Sequence, residues 1–410
     1  MKPSIRGTET RREFLTHAAV GVLAAGQIGF APRLVAQVGA PGSGFDPWLE
    51  IDEAAFRSNA RAVARLTGNR PIMAVVKNNA YGLGLEVVGP ILDKIDEVAG
   101  LAVVKAEEAI KLRDAGVRKP ILLMGLTSEP EGEELVRREV RLSLYADPTA
   151  SLVARLGRQL GRAVPVHLYL DTGMSRMGIP YHRALPFARK VAETKEAKIE
   201  GCFMTFTEDS EFDPEQLRRF LEFAGEARKE GIGLGTLHAA SSHALFSLEN
   251  AYLDMVRPGL VLYGAYPSSA ANETVQLTPA FRLRARVVRV ELLRPGDSVS
   301  YGRTYVAERP TWVATLPVGH ADGYHRTAVR GCEVLIEERL YRVIGAVSAS
   351  HTIVEVGPEK TVDIGAEATL VGPDRKEILP NEVAARAGIS VYDVLMRLSP
   401  LLPKRVRYSS

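Results

Sequence analysis

The sequence predicts an α/β fold, a (β/α)8 TIM barrel over residues 48–279 followed by a β-rich C-terminal domain over residues 280–405. Three observations predict it. The chain has 410 residues, 46% hydrophobic and 25% charged, which is globular composition and enough length for two cores. From residue 48 to about residue 262, eight short apolar runs alternate with longer amphipathic stretches, as a barrel requires. After Pro279 that alternation stops, and β-branched segments divided by Gly/Pro/Asp turns take over.

The eight apolar runs are 71–77, 100–104, 121–124, 141–145, 165–170, 199–205, 235–238 and 255–262. Each is too short for a helix and is bounded by turn formers, so each reads as a buried strand. Between them, stretches such as 53–66, 105–115, 129–140 and 215–229 place apolar residues every three or four positions, the period of an amphipathic helix. In the second region, segments 284–293, 311–316, 332–336, 340–347, 352–356 and 368–371 read as strands, with Arg294-Pro295-Gly296-Asp297 as one of the turns. A helical stretch at 391–398 closes the domain.

The first forty residues read as a separate segment. Thr10-Arg11-Arg12-Glu13-Phe14-Leu15 is a twin-arginine pattern, followed by an apolar run at 18–31 and small residues near Ala36 and Ala40. This predicts a twin-arginine-type signal peptide over residues 1–40 and an exported, periplasmic protein. The apolar run is short for a bilayer and no other long one follows, so no membrane span is expected. Residues 1–40 hold five basic and two acidic side chains, which leaves 47 of each in the rest of the chain. A formally neutral body lacks the basic field that a nucleic-acid partner needs. Cys202 and Cys332 are the only cysteines; they make neither a disulfide framework nor a metal site, and they read as buried thiols.

The chemistry begins at Ala74-Val75-Val76-Lys77-Asn78-Asn79-Ala80-Tyr81-Gly82-Leu83-Gly84, where a lysine ends an apolar strand and a glycine-containing turn follows. At the C-terminal mouth of a barrel strand such a lysine points at the active site. Desolvation there favours the neutral amine that a Schiff-base nucleophile needs. On pattern alone, a lysine snorkelling at a strand end is the plainer reading. Four further segments follow in order. They are His167-Leu168-Tyr169-Leu170-Asp171-Thr172-Gly173-Met174-Ser175-Arg176-Met177-Gly178, His238-Ala239-Ala240-Ser241-Ser242, Met255-Val256-Arg257-Pro258-Gly259-Leu260-Val261-Leu262-Tyr263-Gly264 and Ser300-Tyr301-Gly302-Arg303-Thr304-Tyr305. Together they resemble the alanine racemases, within the barrel-type (fold type III) pyridoxal phosphate enzymes. The resemblance covers residues 48–403.

The resemblance implies that Lys77 carries pyridoxal 5'-phosphate and that the Tyr81 hydroxyl contacts its phosphate. Ser242 and the backbone N–H groups near Gly259 and Leu260 would hold the same phosphate, with Tyr392 close by. Arg257 would face the pyridine nitrogen, and Arg176 would lie beside the ring and the substrate carboxylate. Tyr301 would enter the site of the neighbouring subunit as the second acid/base, which implies a homodimer. The reaction implied is the interconversion of L- and D-alanine. Moving a proton from one face of Cα to the other asks for two opposed bases, here Lys77 and Tyr301.

The sequence also departs from the family's pattern. Tyr169 stands where the family often has a carbamylated lysine, Thr205 where a histidine is common, and His320 where a tyrosine is usual. In Val347-Ser348-Ala349-Ser350-His351 the family typically reads Met-Asp-Gln in the last three places. Ala349 and Ser350 therefore predict a roomier, less acidic substrate pocket and a range that extends to other small amino acids. Two other readings stay open: a decarboxylase or D-threonine aldolase on the same scaffold, and a non-catalytic pyridoxal phosphate carrier. The decarboxylases' later cysteine motif and the aldolases' histidine–cysteine metal pair are not found. Carriers resemble single barrels, without a second domain.

Overall fold

The computed structural model describes residues 44, 46–268 and 271–408, so the twin-arginine pattern and the rest of the expected signal lie outside the described residues. Strand β1 (Trp48–Asp52) leads straight into helix α1 (Glu53–Leu66), whose first turn is capped by Asp52 Oδ1 accepting from the Ala55 N–H at 3.1 Å. The barrel follows. Its strands are β2 (Ile72–Val75), β3 (Val98–Val103), β4 (Ile121–Leu123), β5 (Val140–Leu144), β6 (Val164–Asp171), β7 (Ala197–Phe203) and β8 (Thr236–His238), parallel and paired in chain order. These runs are apolar because helices cover them outside and packed side chains fill them inside.

The eighth position is a seam. Met255 bridges His238 and Val256 bridges Ile72, which closes the barrel. The closing bonds run from Val256 N–H to Pro71 O at 3.0 Å and from Met73 N–H to Val256 O at 2.8 Å. The sequence predicts one strand over 255–262, but the strand-like part stops at Pro258, which has no N–H to offer the ladder. Residues Leu260–Tyr263 form a 3-10 turn instead, stepping inward over the mouth.

The C-terminal domain is built on a nine-stranded sheet. Its remaining strands are β9 (Phe281–Arg286), β10 (Arg289–Leu293), β11 (Thr311–Leu316), β12 (Glu333–Ile336), β13 (Arg339–Ile344), β14 (Thr352–Gly357), β15 (Glu367–Val371) and β16 (Lys404–Arg407). The order is β10-β11-β14-β13-β12-β15-β9-β1-β16. Thus β1, which the sequence reading placed with the barrel, lies in the second domain's sheet, antiparallel to β9 and parallel to β16. The segment 284–293, read as one strand, is two. A break at residues 287–288 sends its halves to distant places in that order.

The two domains share one continuous apolar core. Helix Val391–Met396 presses onto the turn after β2, and Asn381 of helix Pro380–Ala387 exchanges two bonds with the backbone of Tyr266, at 2.7 and 2.9 Å. Gly82 sits under this contact with φ of 90°, and a Cβ there would meet Leu395 O at 2.4 Å. Only glycine fits. Among the described residues, no helix is long and apolar enough to cross a membrane. Cys202 and Cys332 are free, buried thiols.

Candidate active site

Lys77 begins the turn after β2, at the C-terminal mouth of the barrel. Burial holds its ammonium below the ordinary lysine range; the nearby Arg176 pushes the same way, while Glu208 and Glu108 oppose it. The next four residues, Asn78, Asn79, Ala80 and Tyr81, have φ of 54°, 56°, 53° and 54°. Left-handed backbone costs a non-glycine residue roughly 1–2 kcal/mol, so four in succession persist only where surroundings fix them. The turn carries Tyr81 inward, where its ring stacks on Tyr263 at 4.6 Å and lies 6.3 Å from that of Tyr392. Burial raises both the Tyr81 and the Tyr392 hydroxyls, the latter to about 12, so both are neutral donors.

Gly259 links Tyr81 to Ser242. Ser242 Oγ, buried, accepts from the N–H groups of Gly259 at 2.9 Å and Val261 at 3.4 Å, which leaves its own proton free to donate. A Cβ on Gly259 would stand 2.2 Å from the Tyr81 hydroxyl, so only glycine lets that hydroxyl approach this backbone. Leu260, fully buried, starts the 3-10 turn beside it.

Arg257 is buried on the seam. Nη1 donates to His238 O at 2.6 Å and to His238 Nδ1 at 3.0 Å; Nη2 donates to Met204 O at 2.6 Å. Among the described residues no acceptor meets its Nε. Burial lowers this guanidinium to about 10, so it stays charged at neutral pH. Arginine has only protons to give, which fixes the histidines behind it. His238 Nδ1 must accept, so its Nε2–H donates to His167 Nδ1 at 2.8 Å. Both imidazoles are neutral: burial lowers His167 to about 4 and His238 well below its ordinary value. Phe203 joins this floor, stacked between Tyr169 at 4.2 Å and His238 at 5.2 Å.

The structure therefore gathers Lys77, Tyr81, Ser242, Arg257, Gly259, Leu260 and Tyr392 around one mouth, with exposed Arg176 on the loop after β6. It does not bring Tyr301, Ala349 or Ser350 there within one chain. Tyr301 is 79% exposed, on a hairpin turn, and Ala349 and Ser350 are exposed on another. The sequence motifs quote His167 and His238 but give them no role, because their pairing depends on strand register. Among the described residues no cluster of histidines, cysteines or acids is arranged to hold a metal.

Comparison with known proteins bears on this geometry. The family model of the alanine racemase N-terminal domain matches residues 51–267, and that of the C-terminal domain matches residues 280–406. An alanine racemase of Geobacter sp. (strain M21) is 35% identical over 370 residues, covering 87% of this chain and 97% of that protein. The chain belongs to the alanine racemase family. An alanine racemase of Methanococcus maripaludis is 32% identical over 365 residues, covering 87% of this chain and 97% of that protein. Among solved structures, alanine racemase from Streptomyces lavendulae superposes with a TM-score of 0.82 at 29% identity, covering 90% of this chain and 98% of that one. The biosynthetic alanine racemase from Pseudomonas aeruginosa gives 0.78 at 27% identity, covering 89% and 100%. Alanine racemases are isomerases, and the (β/α)8 barrel with its β-rich partner is the predicted fold.

Two departures from the alanine racemase pattern meet in space. The Tyr169 hydroxyl lies 3.1 Å from Thr205 Oγ1, so a tyrosine–threonine hydroxyl pair occupies the floor where a lysine and a histidine are the common residues. Tyr169 is buried and its ring is held by Phe203.

Proposed function

We propose that this chain interconverts L- and D-alanine with pyridoxal 5'-phosphate, using Lys77 and Tyr301 of the partner subunit as opposed acid/base groups. The observation that carries this reading is the convergence, at one barrel mouth, of a desolvated lysine with the Ser242 hydroxyl, held by two backbone N–H groups, and the buried Tyr81 hydroxyl. The residues fit the cofactor's parts. The hydroxyls of Ser242 and Tyr81 and the backbone at Leu260 suit a phosphate, because they need little reorganisation, while Gly259 gives its N–H to Ser242 Oγ and so fixes where that hydroxyl stands. Arg257 Nε, the donor without an acceptor, suits the ring nitrogen, and an arginine that keeps its proton holds that nitrogen without protonating it. When bound, the cofactor draws electrons from the amino acid and acidifies its α-C–H.

The rest is done by side chains. Arg176 orients the substrate carboxylate beside Lys77. The Lys77 amine takes or returns the proton on one face, and the Tyr301 hydroxyl does so on the other. Tyr301 is suited to delivery across an interface by its exposure, and alanine racemases are typically dimeric. Ser300 Oγ donates to Ala346 O at 2.9 Å, which ties the Tyr301 hairpin to the segment bearing Ala349 and Ser350. All three then reach the partner's site together, and the two small residues extend the substrate range beyond alanine.

The test is a chiral assay of the purified chain with pyridoxal phosphate and each L-amino acid. D-alanine should accumulate until both forms are equal. Release of carbon dioxide, or of glycine from a β-hydroxy amino acid, with no inversion would replace racemisation by the decarboxylase or aldolase reading. Cofactor binding without turnover would leave a carrier. Export through the twin-arginine pattern is a further part of the proposal, resting on Thr10–Leu15 alone. Cell fractionation of the wild type and of Arg11→Lys/Arg12→Lys tests it, with retention of the variant in the cytoplasm as the expected result.

A further inference from the structure

Glu108 lies 29 residues beyond Asn79 in sequence and is almost fully buried at the start of the helix that follows β3 (Ala106–Asp114). Its two carboxylate oxygens serve different elements. Oε2 accepts from the N–H groups of Lys105 at 3.2 Å and Val104 at 3.3 Å, which is the task of a residue capping its own helix. Oε1 accepts from the Asn79 N–H at 3.1 Å, inside the left-handed turn that follows Lys77. A helix cap has no use for that bond.

Asn79 is the hub of the turn. Its carbonyl accepts from Gly82 N–H at 3.1 Å and Gly84 N–H at 2.9 Å, and its side-chain oxygen accepts from Leu85 N–H at 3.2 Å. Those bonds all come from the same short segment and would travel with it if it moved. Among the described residues, the bond to Glu108 alone anchors Asn79 to another part of the barrel. It joins the turn after β2 to the end of β3, two neighbouring strands at the mouth.

We propose that Glu108 is a positioning residue for Lys77, its carboxylate clamping the left-handed turn that sets where the lysine amine stands. This rests on the reading of Lys77 as the reactive lysine. A glutamine fits the space but presents one oxygen and one NH2 to three N–H donors, so it serves the helix or the turn and not both.

The experiment compares Glu108→Gln, Glu108→Gln/Ala80→Gly and Lys77→Ala in the full chain. It follows capture of pyridoxal phosphate by the apoprotein, through the absorbance of the lysine-bound cofactor, and then kcat and KM for alanine. Glu108→Gln should slow capture and lower kcat by about tenfold or more, the usual scale for a displaced reacting group, while the alanine KM stays within about twofold. Ala80 is buried in the turn at φ of 53°, and glycine takes that conformation without strain, so the second change should restore most of the loss. Unchanged capture and kcat in Glu108→Gln would overturn the proposal, and so would a loss that Ala80→Gly does not rescue, since that points to charge and not to the turn. If Glu108→Gln does not fold, hydrogen exchange of the wild type decides: a protected Asn79 amide supports the clamp and an unprotected one overturns it. Lys77→Ala separates the two readings, because turnover surviving there removes the role of Lys77 whatever Glu108 does.

Discussion

The Lys77 mouth and the Tyr301 hairpin are built in opposite ways. At the mouth, Tyr81, Ser242, Arg257 and the histidines behind them are buried, and most of their polar atoms have partners at hydrogen-bond distance. At the hairpin, Tyr301 stands between two-residue strands Ser298–Val299 and Tyr305–Val306, over a satellite core of Leu293, Val299, Ala307, Val313 and Ile344. Its neighbours Ser300 and Arg303 hold φ of 62° and 50°, so the turn is shaped with care although its tyrosine stands out in solvent among the described residues. On the proposed function, the barrel completes one half of a site by folding, and the second domain shapes the other half for delivery to a neighbour.

Breaking each half should have distinct results. Lys77→Ala should lower alanine turnover by more than about 10⁴-fold and abolish the lysine-bound cofactor absorbance, since it removes both anchor and base. Tyr301→Phe should lower turnover by about 10²–10⁴-fold while cofactor capture stays as in wild type. Mixing these two inactive variants sharpens the comparison. Exchanged subunits pair an intact Lys77 with an intact Tyr301, so activity should return on mixing; a mixture that stays inactive after demonstrated exchange would rule out a shared site.

An acid challenge should find the barrel half first. His167 titrates at about 4 in the fold against an ordinary 6.5, because burial disfavours its charged form. Its neutral ring is therefore fully tolerated above pH 6.5, and stability falls as the pH drops from 6.5 towards 4, where the unfolded chain binds the extra proton. The loss is on the order of 3 kcal/mol from this residue by pH 4, read as a lower urea midpoint that His167→Gln should flatten. The smallest effect belongs to the hairpin side. Ala349→Met should leave alanine turnover nearly unchanged and cut turnover of larger amino acids by about 1–3 kcal/mol in kcat/KM, and equal selectivity in both proteins would remove Ala349 from the pocket.

Much of the fold was legible because buried parallel strands are continuous apolar runs, and all eight barrel positions stood out that way. The seam was not, since an apolar run over 255–262 cannot show that Pro258 ends the ladder. The placement of β1 was hidden too, because periodicity carries no information about a partner at the far end of the chain. Lys77, Ser242, Arg257 and Gly259 were legible as motifs. Glu108 looked like any acidic residue in a helix's first turn, and the buried histidine pair needed the register of β6 against β7 and β8. The signal available for it was the inward alternation of His167 and Tyr169 on one strand.

The parallel pairing of β1 with β16 also bears on how the chain is made. Glu50 and Arg407, which form an ion pair of 3.5 Å across this join, are 357 residues apart in sequence. While the chain is being synthesised, β1 can gain β9 on one side, but its other edge stays open until Lys404–Arg407 has left the ribosome. An open strand edge is a template for pairing with other chains. Sealing the sheet thus waits on residues 404–407, and a chain cut short before residue 404 would leave the edge of its first strand open to aggregation.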